Sequence, residues 1–107
     1  MNRFLKERTI IRRKFTRDSK DFEFLLTPPI APSEVLSSAF KKVSESSIRL
    51  RELNSLIFEQ LLNTECDETK LEEEVESTDA YTDKWYILED WIYWEDGAIY
   101  LVTSNYS

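Results

Sequence analysis

Residues 65–79, ECDETKLEEEVESTD, place eight carboxylates and a single lysine in fifteen positions. Such a tract is a metal or acid-base site, a disordered acidic segment, or the solvated face of a helix. The spacing of the apolar residues decides between them. Leu71, Val75, Thr78, Tyr81, Trp85 and Leu88 recur at three- and four-residue steps, the stripe of an amphipathic helix over about 68–88. Glu68, Glu72, Glu73, Glu74 and Glu76 mostly lie off that stripe, and those in the first turn suit the positive end of the helix dipole. Asp67 stands where an N-cap is needed, and Asn63 suits a left-handed C-cap of a preceding helix. A carboxylate metal site draws inward-facing ligands from several helices, and the tract shows no such convergence. The spacing therefore predicts a solvated helix face.

Upstream, residues 3–26 form a first amphipathic helix. Phe4, Ile11, Phe15, Phe22 and Leu25 make the stripe, with Arg8 and Asp18 filling its gaps. The stretch TPPIAPS ends it, because proline cannot continue a helix and restrains the residue before it. Ser33 reads as the N-cap of a second helix, about 34–62. Leu36, Phe40, Val43, Leu50, Ile57 and Leu61 keep a heptad-like spacing, and Ser47 and Asn54 take the intervening seam positions. Leu53, Leu56 and Phe58 widen the apolar surface, so the helix suits a small bundle as well as a narrow coiled-coil seam.

Beyond Leu88 the pattern changes. WIYWEDGAIYLVTS carries aromatic and β-branched residues on both sides of Asp96-Gly97, a hairpin signal for strands of about 90–94 and 98–102. Gly97 is the one glycine in the chain and falls where a positive φ is required. The competing reading continues the third helix to Trp94 and leaves Ile99 to Val102 as an extended tail. The predicted fold is mainly α: three helices in an antiparallel hairpin or bundle, closed by a short C-terminal β-hairpin, within one small domain of 107 residues.

Composition excludes much chemistry. There is no histidine, which removes the commonest general base and metal ligand. One cysteine and no histidine make a zinc site implausible. Cys66 lies among carboxylates, which hold a thiol protonated and unreactive. One glycine cannot build a phosphate loop. No enzyme activity, cofactor or metal is expected. Asn105-Tyr106-Ser107 matches a glycosylation sequon, but MNRFLKERTIIRRKF is too charged for an export signal, and no apolar run reaches membrane-spanning length. An intracellular, cytoplasmic protein without membrane contact is expected.

Charge is unevenly distributed. Residues 1–26 carry a net +4, residues 27–63 are neutral, and residues 64–107 carry −11. The two ends are complementary, either within one fold or between neighbouring subunits. Arg12, Arg13, Lys14 and Arg17 could reach phosphates, but the chain is acidic overall and carries no nucleic-acid motif, so nucleic acid is not an expected partner.

The words RRKFTR on the first helix, IRLRELNSLIFEQLL on the second and ETKLEEEVESTDAYTDKW on the third resemble the N-terminal Gag-like region of BEL/Pao-type LTR retrotransposons, over roughly Arg8 to Tyr86. The resemblance implies a structural, self-associating or protein-binding segment without catalysis. The residues after Leu88 do not share it.

Together these readings predict a non-enzymatic interaction module that binds protein, with a homo-oligomer expected. The interaction candidates are Asn54, Ile57, Leu61, Glu72, Glu73, Glu76, Trp85 and Trp91, with Phe15, Phe40 and Val75 sharing the packing. The alternative is a small acidic decoy that occupies a basic groove of a nucleic-acid enzyme, binding through Glu72, Glu73, Glu76, Asp79 and Asp83.

Overall fold

Each of the three stripes becomes a helix in the computed structural model, which describes residues 2–65 and 67–101. Cys66, Val102 and the Asn105-Tyr106-Ser107 sequon lie outside the described residues. Helices α1 (Asn2–Leu25), α2 (Ser33–Asn63) and α3 (Glu68–Asp90) are followed by strands β1 (Ile92–Glu95) and β2 (Ala98–Leu101). α1 and α2 form an antiparallel hairpin, and α3 returns along α2, parallel to α1. The 31 residues of α2, at a rise of about 1.5 Å each, account for most of the 50 Å long axis of the molecule.

The apolar stripes close on one another. Phe15 and Phe22 of α1 are buried with Leu36, Phe40, Val43 and Leu50 of α2, Trp85 and Leu88 of α3, and Ile92 and Ile99 of the hairpin. Phe40 is the hub: its ring lies 5.3 Å from Phe22, stacks on Trp85 at 5.1 Å and meets Trp94 edge-on at 6.2 Å. The expected α2 seam is followed closely, with Ile57 buried and Leu61 half-buried at its far end. The α3 stripe is followed only in its C-terminal half. Trp85 and Leu88 are buried, Leu71, Thr78 and Tyr81 are half-buried, and Val75 is 43% exposed, so Val75 does not share the core packing expected of it. At that level a charged pair fills the space between helices, and Val75 sits beside it.

Two expected caps change roles. Asn63 stays helical, and the left-handed conformation falls on Glu65 at φ 52°. Thr64 closes α2, its N–H donating to the carbonyls of Gln60 and Leu61. Pro32, not Ser33, is the N-cap of α2, and its carbonyl accepts from the Val35 and Leu36 amides. Asp67 caps α3 as expected, accepting from the Lys70 N–H at 2.9 Å.

The Ser33 hydroxyl is turned onto β2 instead, accepting from the Ile99 N–H at 3.2 Å and donating to the Ile99 carbonyl at 3.0 Å. The reason lies in the ladder. Asp96 (φ 52°) and Gly97 (φ 76°) form a two-residue turn with both centres left-handed, the type whose twist matches the strands. It closes the pair Glu95↔Ala98, so in the next pair, Trp94↔Ile99, the polar groups of Ile99 point away from β1. Ser33 satisfies both and covers that edge of the ribbon. Ser33→Ala is expected to cost about 1–2 kcal/mol, because two part-buried backbone groups lose their partner. A urea titration reads the cost, and the Ile99 amide should exchange with solvent faster than in the parent chain.

Candidate interaction surfaces

The charged pair between the helices begins with Arg8, a cation on the apolar stripe of α1. Its Nη2 donates to Glu74 Oε1 of α3 at 3.0 Å, and its Nη1 donates to the other carboxylate oxygen. Nη1 also donates to Asn54 Oδ1 of α2 at 3.3 Å. Both charged side chains are only 10% exposed. One polar layer therefore joins all three helices, and its bidentate geometry is directional. Asn54, one of the two polar seam positions of α2, sits within it. On the α1 seam, Asp18 accepts from Lys14 at 2.7 Å, and Lys14 also reaches Ser46 of α2, beside the seam position Ser47, at 3.2 Å.

At the same end, Arg49 grips Glu7 in a two-point contact, Nε to Oε2 at 2.6 Å and Nη2 to Oε1 at 2.8 Å. These bonds hold the Glu7 carboxyl below its ordinary value of 4.5 and push the Arg49 guanidinium up. A depressed carboxyl contributes stability that is present above its unfolded value and lost as pH falls through its folded one. Stability should therefore fall less between neutral pH and about pH 3 in Glu7→Gln than in the parent chain. Equal acid sensitivity of the two, measured by thermal melts across pH, would show the pair to be idle.

Most of the expected candidates do not converge. Asn54, Ile57 and Leu61 belong to the far half of α2, and Trp85 is buried in the core at the other end. Glu72, Glu73 and Glu76 are exposed. With Asp79 and Asp83, two of them form a stripe, Glu72, Glu76, Asp79 and Asp83, on the outer face of α3. Among the carboxylates of residues 65–79, Glu74 is the exception. Among the described residues no group of side chains is arranged to hold a metal ion, and no helix is long and apolar enough to cross a membrane.

Two further surfaces stand out. Lys6, Arg13, Arg17 and Lys20 are exposed along α1, with Ile10 and Phe24 (74% exposed) on the same stripe. Trp91, Tyr93, Trp94 and Tyr100 are each more than a third exposed at the hairpin end, as is nearby Tyr86. Tyr93 and Tyr100, opposite one another in the ladder, stack at 5.5 Å. The inner face of the ribbon carries Ile92 and Ile99 into the core, while Trp94 leans on Phe40 and leaves 56% of its surface in solvent. These aromatic residues are thus divided: Trp85 anchors the core, Tyr81 packs on Phe15, and Tyr86, Trp91, Tyr93, Trp94 and Tyr100 are exposed. Sequence reasoning missed this division, and it missed the pairing of Arg8, which it had placed on the α1 stripe, with Glu74.

No protein-family model matches the chain, and neither a curated protein nor a solved structure does.

Proposed function

We propose that the chain is a non-enzymatic protein-interaction module that associates with further copies of itself. The exposed aromatic surface around Trp91, Tyr93, Trp94 and Tyr100 carries this reading. The helical seams are spent on one another, so they offer a partner little apolar area. The hairpin end does offer it, and aromatic residues dominate the energetics of protein contacts. Kinship with Gag-like retroelement segments is part of the proposal. The arginine-rich first helix, the helical hairpin and the acidic arm leading to Tyr86 support it.

Absolute mass in solution across concentration tests the reading. The parent chain should gain mass as concentration rises, and Tyr93→Ser/Trp94→Ser should stay monomeric. An apolar contact should persist at high salt. A parent chain that stays strictly monomeric at high concentration would overturn the proposal.

The exposed acidic stripe on α3 favours a second reading, the acidic decoy for a basic groove. It is distinguished by binding to a basic partner that weakens steeply with salt.

A further inference from the structure

We infer that the cleft between α1 and α3 is a binding site for a small organic monophosphate with a flat apolar body. The two helices are bridged here by long side chains: Arg8 to Glu74, Arg12 over Tyr81, and Lys84 to Glu23. The gaps between these bridges are open. Tyr81 stands in the middle, packed edge-on against Phe15 at 6.0 Å, and divides the cleft into adjoining chambers of about 440 and 370 Å³.

The larger chamber is cationic, lined by Arg12, Arg13 and Arg17 with Thr9 and Thr16. Arg12 is its centre. The guanidinium carbon lies 4.8 Å from the Tyr81 ring centroid, and Nε and Nη2 are buried without a hydrogen-bond partner among the described residues. Glu74, the nearest obvious counter-charge, is taken by Arg8. Burial pushes the Arg12 guanidinium down, with the Arg8 charge adding to the effect. Arg17 reaches only Asp18, at 3.6 Å, a carboxylate that Lys14 already holds at 2.7 Å. Arg12 is half-buried and Arg13 and Arg17 are exposed, and in an acidic protein three arginines around one chamber are a local inversion of charge. An oxyanion there meets their positive charge, and guanidinium groups match phosphate oxygens in geometry.

The smaller chamber suits the body of such a ligand. Phe15, Ala80 and Tyr81 give it an apolar side, and the charged Lys20, Glu23 and Lys84 line the rest. Ser19, which also lines it, is 1% exposed. The chambers share Thr16 and Tyr81, so head and body can be held at once.

Isotope-detected NMR titration of the full chain with phenyl phosphate, inorganic phosphate and phenol tests the site. Phenyl phosphate should give saturable shifts at the Arg12 side chain and the Tyr81 ring, binding at least tenfold more tightly than either fragment. Arg13→Gln/Arg17→Gln, which alters only exposed side chains, and Arg12→Gln should each weaken it at least tenfold while far-ultraviolet circular dichroism stays unchanged. No saturable shift by about 10 mM, or shifts that survive both variants, would overturn the proposal. So would tighter binding of a single-stranded oligonucleotide with a steep salt dependence, which would assign the arginines to a nucleic-acid backbone instead. Self-association plays no part in the readout, so the two proposals stand or fall separately.

Discussion

Glu74→Ala is expected to destabilise the fold by about 3 kcal/mol, near the lower end of what removing one partner of a buried pair costs. The loss does not come from the attraction alone. Arg8 is 8% exposed, and without Glu74 it is left as a charge among apolar neighbours, with only the amide oxygen of Asn54 at 3.3 Å. Replacing both partners by Met should bring stability back to within about 1 kcal/mol of the parent chain, because two well-packed apolar side chains carry no desolvation cost. Urea unfolding of Arg8→Met, Glu74→Met and the double Met variant closes the cycle and isolates the coupling. A cost below about 0.5 kcal/mol for Glu74→Ala, the size of an ordinary surface change, would mean that water reaches the pair. The docking of α3 would then rest on Trp85, Leu88 and Tyr81 with the Lys84–Glu23 bridge.

Phe40→Ala should cost more, about 4 kcal/mol, in the range for deleting a buried aromatic side chain. Its ring touches α1 through Phe22, α3 through Trp85 and the hairpin through Trp94, so no single element can relax to refill the space. Against a typical total of about 5–15 kcal/mol, the variant stands near unfolding. The same experiment on Val75→Ala gives the contrast. Val75 lies on the stripe that the sequence favours for α3, yet it is 43% exposed, and its truncation should change stability by no more than about 0.5 kcal/mol. Equal losses at both positions would show that the α3 stripe had been assigned to the wrong face.

That stripe shows where sequence reasoning reached and where it stopped. The start of α3 was legible because Asp67 follows a stretch with no strong apolar residue. The hairpin was legible because Asp-Gly stands between two apolar runs. The face of α3 was half legible. Strict alternation of three- and four-residue steps runs Leu71, Glu74, Thr78, Tyr81, Trp85 and Leu88, and it selects Glu74. Preferring an apolar residue selects Val75 one position later. Period was the better guide, because Arg8 on the facing stripe had already announced a buried cation in need of a carboxylate. Ser33 carried no comparable signal. A serine at the mouth of a helix serves equally as an N-cap or as a partner to something distant, and its partner, Ile99, is 66 residues away. The division of the tryptophans is of the same kind: Trp85, Trp91 and Trp94 are one residue type in one short segment, and only the packing of the ribbon on Phe40 decides which faces water.

Those three tryptophans provide the most direct test of the proposed association. Their indole N–H signals can be followed by NMR as the full chain is concentrated. The signals of Trp91 and Trp94, at the exposed end, should move progressively with concentration, and that of Trp85, 6% exposed, should stay fixed. Three signals that hold still over the whole range would contradict self-association through this surface.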